Sequence, residues 1–182
     1  MKIEQLATVD LDLRTAAWHF YQDVFVDVNT LAANRHMMTA DEFDHVMADE
    51  RVQKWVARND AGDIIGMATI TNDLDAWPLV SPAFFAKHYP EQYARRAVWY
   101  IGFVGCNAEG TRAHAFRDLI ALMQPQVEAS DGLFVQDFCT YNVGVRRLPD
   151  ATRAILRRIN PTVEFARIDA QEFWAGKFAS RA

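Results

Sequence analysis

The segment AVWYIGFVGCNAEGTRAHAF, residues 97 to 116, limits the fold more than any other part of the chain. Its aromatic and β-branched residues predict a strand from about Val98 to Val104, which leads through a short polar turn into a helix near Thr111. A second strand-like run, GLFVQDFCTY, follows that helix. Strands that are joined through a helix favour parallel pairing, so this region predicts a β-α-β unit.

An antiparallel hairpin is predicted earlier in the chain. The runs VQKWVARN and DIIGMATITN alternate like strands, and a polar DAG turn separates them. KIEQLATV predicts a first strand and VEFARID predicts a last one. Since antiparallel and parallel pairs occur together, the sequence predicts an α+β fold. Its centre is expected to be a mixed, mostly antiparallel sheet of six to seven strands.

Four or more helices are expected to flank this sheet. Thr39 and Glu42 have the spacing of a capping box, in which each residue satisfies a backbone amide of the other. Pro82 follows Ser81, which is typical of a helix start. Apolar residues three and four apart and these cap signals predict helices from about Leu11, from Thr39 to Arg51, from Pro82 and over PDATRAILRRI.

Composition excludes some classes of function. The 182 residues are expected to form one domain, over residues 1–182. A formal net charge of −5 argues against a nucleic-acid or anionic-membrane binder, because both reward a basic surface. No apolar run approaches the about 20 residues that span a bilayer, and the first residues lack the apolar region of a secretory signal. A cytoplasmic protein is therefore expected, with Cys106 and Cys139 as core thiols.

The order of the predicted elements resembles that of the GNAT superfamily of acyl-CoA-dependent N-acyltransferases. DIIGMATIT is similar to the third strand of that family, VWYIGFVGC to the fourth, AEGTRAHAFRDLIALM to the cofactor helix and LFVQDFCTY to the fifth strand. The resemblance implies an enzyme that transfers an acetyl or longer acyl group directly to an amine acceptor of unknown identity. Its partners would be small molecules, with acetyl-CoA or another acyl-CoA as the donor.

In that family the fourth strand separates from the fifth and binds the pantetheine arm through its backbone. The next loop, Arg/Gln-x-x-Gly-x-Gly/Ala, holds the pyrophosphate at a helix N-terminus, where free amides favour an anion. In the better frame Gly110, Ala113 and Ala115 occupy the three fixed positions, and only Ala115 is a full match. An ordinary capped turn is the alternative. The cofactor-binding residues so implied are Phe103, Val104, Gly105, Gly110, Thr111, Arg112, Ala113, His114 and Ala115.

The catalytic residues of the family do not transfer directly. A glutamate near the fourth strand often serves as base and a tyrosine in the helix after the fifth strand as acid, but VWYIGFVGC has no carboxylate and PDATRAILRRI no tyrosine. Asp137 as base and Tyr141 as acid are the candidate substitutes, on one face of the predicted fifth strand with Cys139. Structural roles for both residues stay open. A catalytically inactive domain that binds a ligand or partner through the same cleft is the alternative function.

Two further clusters carry more than one interpretation. The aromatic segment between the third and fourth strands predicts a bulky acceptor or a longer acyl chain, a lid on the protein's own core, or a homodimer contact. It contains Trp77, Phe84, Phe85, Tyr89 and Tyr93. A late arginine cluster predicts a contact to the 3′-phosphate of CoA, an acidic partner or a solvated helix face. It contains Arg146, Arg147, Arg153, Arg157 and Arg158. No metal site is predicted, because the histidines lack zinc-like spacing.

Overall fold

A central sheet organises the protein, whose computed structural model describes residues 1–33, 37–78 and 80–177. The sheet has five strands in the order β1-β2-β3-β4-β5. The first four are antiparallel neighbours, and β5 runs parallel to β4, which confirms the predicted mixed, mostly antiparallel sheet. The strands are β1 (Lys2–Leu6), β2 (Gln53–Arg58), β3 (Ile64–Thr71), β4 (Val98–Cys106) and β5 (Leu133–Gln136).

Helices cover the sheet and connect its strands. The capping box of Thr39 and Glu42 is present, since each backbone amide donates to the other side chain, at 2.7 and 3.3 Å. The side chain of Ser81 accepts from the amide of Phe84, as its position before Pro82 predicts. The helices are α1 (Leu11–Phe25), α2 (Val28–Leu31), α3 (Ala40–Ala48), α4 (Pro82–His88), α5 (Pro90–Ala94), α6 (Ala108–Arg112), α7 (Ala115–Ala129), α8 (Thr140–Gly144) and α9 (Leu148–Ile159).

The two larger apolar cores lie on opposite faces of the sheet. Neighbouring residues of a strand point to opposite faces, and Met67 and Ala68 of β3 belong to different cores. The first core contains Tyr21 of α1 and Phe43 of α3. The second contains Leu119 and other residues of α7 together with α9. The sheet is thus enclosed by α1 and α3 on one face and by α7 and α9 on the other.

The prediction of six to seven strands is wrong, because VEFARID forms no strand in the part of the chain that the structure describes. Val163 and Phe165 pack against the core of α7 and α9. The backbone of this segment is bound to α9, since Arg153 donates from Nε to the carbonyl oxygen of Phe165 at 3.3 Å. This hydrogen bond holds the segment against α9, and β5 remains the edge strand of the sheet.

None of the helices in the described residues is both long enough and apolar enough to cross a bilayer.

Candidate active site

A β-bulge in the middle of β4 defines the candidate site. Thr69 of β3 pairs with Phe103 and the next residue, Ile70, pairs with Ile101, so Gly102 is an additional residue in β4. The indole ring of Trp77 packs on Gly102, and a Cβ atom there would lie 2.2 Å from a ring carbon. Only glycine fits this position.

Pairing between β4 and β5 ends at the bulge. The parallel ladder joins Val98–Ile101 to Leu133–Gln136, whereas β4 continues to Cys106. Among the described residues no strand pairs with β4 after Ile101 on its β5 side. The two strands therefore separate, as the family resemblance implies, but after Ile101 and Gln136 rather than at Val104 and Cys139, where the sequence places the opening.

The predicted fifth strand is too long. It ends at Gln136, and helix α8 begins at Thr140. The physical reason is the bulge, which bends β4. The residues after Gln136 therefore have no neighbouring strand to pair with, and the ladder ends. The prediction that Asp137, Cys139 and Tyr141 share one strand face is wrong. Cys139 is the N-cap of α8, and Tyr141 lies in its first turn.

Tyr100 and Asp137 form a hydrogen bond beside this opening. The phenol of Tyr100 in β4 donates to Oδ1 of Asp137 at 2.5 Å. Tyr100 is buried, whereas Asp137 is exposed. Burial raises the pKa of the Tyr100 phenol, and the charge and hydrogen bond of Asp137 raise it further. A buried, protonated phenol thus orients an exposed carboxylate.

A large cleft surrounds this pair. Its volume is about 2140 Å³, and both Tyr100 and Asp137 line it together with Gly102. Of the predicted aromatic segment, four residues line the cleft and Tyr93 does not. Trp77 and Phe85 are also part of the core, so this segment serves both as cleft wall and as core. The aromatic and methionine side chains that line the cleft from segments before β4 include Met37, Met38, Trp77, Phe84, Phe85 and Tyr89.

The predicted pantetheine-binding residues lie just beyond the cleft. Phe103 is buried, with its ring 5.1 Å from that of Tyr21. Gly105 is covered by α1, since a Cβ atom there would lie 2.8 Å from the ring of Phe25. The cleft reaches β4 at Tyr100 and Gly102, and Phe103, Val104 and Gly105 do not line it.

The predicted pyrophosphate turn is filled by helix α6. The side chain of Asn107 accepts from the amide of Gly110 at 2.8 Å, and a Cβ atom on Gly110 would lie 1.9 Å from the carbonyl oxygen of Ile65. The predicted helix start near Thr111 is wrong. Helix α6 begins before Thr111, at Ala108, and helix α7 begins after it, at Ala115. Thr111 does not act as an N-cap; its hydroxyl donates to the carbonyl oxygen of Asn107.

The N-terminus of α7 is open. Its N-cap, His114, has a left-handed backbone with φ of 62° and makes no side-chain cap bond. Within residues 1–33, 37–78 and 80–177, the amides of Ala115, Phe116 and Arg117 have no hydrogen-bond acceptor. Ala115 is buried, while Arg112, His114 and Arg117 are exposed. Free amides at the positive end of a helix dipole and nearby cations favour an anion.

Tyr141 and the arginine cluster lie in and between helices α8 and α9, which follow β5. Tyr141 belongs to α8, the first helix after β5, but it does not line the cleft. Arg147 and Arg153 both form ion pairs with Asp150. The remaining three arginines of the cluster form no ion pair among the residues that the structure describes. They are Arg146, Arg157 and Arg158.

The other titratable groups of note are structural. Both cysteines are free and half-buried rather than fully buried, and burial raises the pKa of the Cys106 thiol to about 12. Lys54 is fully buried and donates from Nζ to the carbonyl oxygens of Ala7 and Asp49; burial lowers its pKa to about 8. No cluster of three or more potential metal ligands occurs in the described part of the chain.

Sequence reasoning missed Tyr100 and Gly102, and it named Trp77 only as a member of the aromatic segment. One signal was available, because a glycine inside an otherwise strong strand pattern often marks a bulge or a close approach. No local pattern indicates that Trp77 packs on Gly102 or that Tyr100 meets Asp137, since both contacts join distant parts of the chain.

The solved structures to which this chain is similar include three aminoglycoside acetyltransferases. The aminoglycoside antibiotic 6'-N-acetyltransferase AAC(6')-Ih from Acinetobacter baumannii matches with a TM-score of 0.55 and 10% identity, over 96% of this chain and 100% of that chain. The aminoglycoside acetyltransferase meta-AAC0020 from an uncultured soil metagenomic sample matches with a TM-score of 0.54 and 16% identity, over 97% and 96%.

A third structure, the 6'-N-acetyltransferase AAC(6')-IG from Acinetobacter haemolyticus, matches with a TM-score of 0.52 and 12% identity, over 97% of this chain and 100% of that chain. No family model matches the chain, and no curated protein matches its sequence. At these identities the likeness concerns the fold. The sheet order, the separation of β4 from β5 and these matches together give this protein the GNAT fold, the fold of a superfamily of N-acetyltransferases.

Proposed function

We propose that this protein is an acyl-CoA-dependent N-acyltransferase that transfers an acetyl or longer acyl group directly to an amine. One observation carries the proposal: pairing between β4 and β5 stops at Ile101 and Gln136, and the Tyr100–Asp137 hydrogen bond lies beside the resulting opening. A free strand edge offers the amides and carbonyls that a pantetheine arm requires.

The donor would bind along β4 and at the start of α7. The backbone of Phe103, Val104 and Gly105 would hold the pantetheine arm, as the family resemblance implies. The amide of Phe103 already donates to Oγ1 of Thr69, so the other backbone groups of these residues would make the contacts. The pyrophosphate would lie near the loop of Gly110, Thr111, Arg112, Ala113, His114 and Ala115. Within this loop the exposed Arg112 and His114 and the free amides after His114 support the assignment, whereas the amide of Gly110 already has an acceptor.

The proposed chemistry is aminolysis of a thioester. The amine nitrogen attacks the carbonyl carbon, the C–N bond forms and the C–S bond breaks, which gives an amide and the free thiol of CoA. Asp137 would take the proton that the amine loses, directly or through water, because its carboxylate is exposed to the cleft and oriented by Tyr100. Tyr141 would protonate the departing thiolate, since it lies in the first helix after β5, where the family carries its acid.

The acceptor would bind on the aromatic wall of the cleft. Trp77, Phe84 and Tyr89 line the cleft that contains Asp137. Aromatic faces suit an amine with a bulky or apolar body, and they also attract cations. The acceptor is therefore proposed to be a bulky amine, and aminoglycosides belong in the test panel because the structural neighbours act on them.

An inactive binding domain is the second candidate. One observation favours it: the amide of Gly110 is bonded to Asn107, and its Cα is packed against β3, so this part of the turn offers no donor to a phosphate. Such a domain would bind a ligand or partner through the cleft without turnover.

Binding and turnover separate the candidates. We expect acetyl-CoA or a longer acyl-CoA at millimolar concentration to raise the melting temperature by mass action. Release of free thiol from acyl-CoA in the presence of a panel of amines measures turnover. If no CoA species shifts the melting temperature, neither candidate binds CoA. A thermal shift without turnover would favour the inactive domain.

Asp137→Asn tests the base. We expect it to lower kcat by about 100-fold or more while the thermal shift with acyl-CoA remains, because the carboxylate acts on the proton rather than on donor binding. Asp12→Asn, a change of an exposed carboxylate in the first turn of α1, is the matched control and should leave kcat unchanged. Equal kcat values for the two variants would remove Asp137 from the mechanism.

A further inference from the structure

Trp77 lies on the bulge of β4. Gly102 is the additional residue of that strand, and a Cβ atom at this position would overlap three carbons of the six-membered ring of the Trp77 indole. Because glycine has no side chain, the indole can lie directly on the backbone of β4. The bulge and Trp77 are therefore packed as one unit.

The same indole packs against Tyr100. The ring centroids of Trp77 and Tyr100 are 6.0 Å apart, with an angle of 50° between the ring planes. At its other end Tyr100 donates its hydroxyl to Oδ1 of Asp137. The direction of a phenol hydroxyl follows the orientation of its ring, so the packing of the ring determines where the carboxylate is held. Trp77 is thus one contact away from the pair of Tyr100 and Asp137.

The chain before Trp77 holds the indole in place. Trp77 is 5% exposed and directly follows a short 3-10 helix, Leu74–Ala76. The amide of Asp73 donates to Oγ1 of Thr71, and the carboxylate of Asp73 forms an ion pair with Arg96 at 3.0 Å. These bonds fix the segment between the end of β3 and the start of β4. A buried ring on such a segment can hold a neighbouring side chain in one orientation.

Trp77 also lines the cleft, as Asp137 does. The aromatic wall on which the acceptor is proposed to bind therefore includes the residue that packs against Tyr100. Reaction rates depend steeply on such geometry, since a displacement of about 1 Å can cost about 100-fold. One side chain thus has contacts on both sides of the proposed reaction, with the acceptor wall and with the support of the base.

We propose that Trp77 is a positioning residue for acyl transfer, which fixes the carboxylate of Asp137 by holding the ring of Tyr100. Trp77 would take no proton and form no bond to the donor, and its effect would pass through the hydroxyl of Tyr100. Gly102 would contribute by leaving space for the indole. The inference rests on the proposed function, because it takes Asp137 as the base.

A double-mutant cycle tests the path through the hydroxyl. Trp77→Phe and Tyr100→Phe should each lower kcat by about tenfold, while KM for acyl-CoA changes by less than about twofold. The double variant should also lose only about tenfold, because no hydroxyl is left for Trp77 to orient. A loss of about 100-fold in the double variant would mean that the two residues act separately, which overturns the proposal. A wild-type kcat in Trp77→Phe would overturn it as well.

Trp18→Phe is the matched control. Trp18 packs against the first core but does not line the cleft. Its replacement should leave kcat within about twofold of the wild type, since Trp18 lies outside the proposed path. An equal loss of kcat in Trp18→Phe and Trp77→Phe would show a general loosening of the core and would contradict a specific role of Trp77.

Gly102→Ala separates folding from positioning. Its methyl group would displace the indole, so this variant should have a lower melting temperature and a lower kcat than the wild type. Adding Trp77→Phe should restore the melting temperature, because a phenyl ring does not reach as far as the indole carbons that the methyl group overlaps. The kcat should nevertheless stay as low as in Trp77→Phe alone. A double variant that recovers kcat together with its melting temperature would refute the positioning role.

Nuclear magnetic resonance of isotope-labelled tyrosine tests the contact without turnover. The signal of Tyr100 is identified by its loss in Tyr100→Phe. The ring of Tyr100 should flip about tenfold faster in Trp77→Phe than in the wild type, since a smaller neighbour leaves space beside it. An active wild type with the same flip rate in both proteins would overturn this inference alone. Absence of turnover in the wild type with every amine would overturn the proposed function and this inference with it.

Discussion

The strands β4 and β5 each lead towards a five-residue helix, α6 and α8, and the two junctions are built in opposite ways. In the first junction Asn107 caps α6 and Gly110 is buried against β3. In the second junction the N-cap makes no side-chain bond, no residue of α8 is buried, and a Cβ atom on Gly144 would meet nothing within 4 Å. The first junction is closed and the second is open.

The difference shows that a polar turn after a strand does not by itself make a binding site. Asparagine and threonine in such a turn also satisfy the helix that follows, and here they do so in α6. Asp137 precedes the open junction and lines the cleft, although no loop motif marks it in the sequence.

Replacing the glycine of each helix with alanine should give the largest difference in stability between the two junctions. Gly110→Ala is expected to lower the free energy of unfolding by about 3 kcal/mol, because its Cβ would lie 1.9 Å from a backbone oxygen of Ile65 that cannot move independently. Gly144→Ala is expected to change it by at most about 0.5 kcal/mol, in the stabilising direction, since alanine favours a helix. Urea unfolding of the two variants measures both values, and similar values would mean that α6 is as open as α8.

The first half of the fold was predictable because its signals are local. The hairpin of β2 and β3 follows from alternation and a short turn, and the start of α3 follows from Thr39 and Glu42. The errors arise where contacts between residues far apart in the sequence determine the local structure. The bulge at Gly102 depends on Trp77, and it shortens β5 although the sequence there remains strand-like.

The candidate site was predictable in part for the same reason. Asp137 was named on chemical grounds and does line the cleft, but its partner Tyr100 comes from another strand and was not foreseen. The pyrophosphate turn was placed from the family resemblance and a partial match to its loop, neither of which can show that Gly110 faces Ile65. The proposed roles of Asp137 as the base and of Gly110 in pyrophosphate binding remain predictions.

The reactivities of the two cysteines test the same difference between the closed and the open junction, because one cysteine lies at each junction. Cys106 ends β4 and Cys139 caps α8. Burial raises the pKa of Cys106 to about 12, so its reactive thiolate form is scarce at pH 8. We expect iodoacetamide to label Cys139 about 100-fold faster than Cys106 at pH 8, as measured by mass spectrometry of peptides.

The pH dependence gives a second check on the thiols. The labelling rate of Cys106 should rise about tenfold per pH unit from pH 8 to pH 10, because the thiolate fraction keeps rising below a pKa of about 12. Equal labelling of both cysteines at pH 8 would mean that the end of β4 is as accessible as the start of α8.

Removal of each N-cap side chain should give the smallest contrast. Asn107→Ala is expected to lower the free energy of unfolding by about 1 kcal/mol, because the amide of Gly110 loses its acceptor. Cys139→Ala should cost less than about 0.5 kcal/mol, since Cys139 makes no cap bond. Thermal unfolding of both variants measures the difference, and an equal loss would show that the caps do not distinguish the junctions.

The consecutive order of the strands in the sheet also governs the order of folding. As the chain leaves the ribosome, β2, β3 and β4 can each pair with the preceding strand before β5 has been synthesised. The parallel β5 must wait for α6 and α7, since its partner lies on the far side of that crossover. The strand beside the cleft is thus the last to join the nascent sheet.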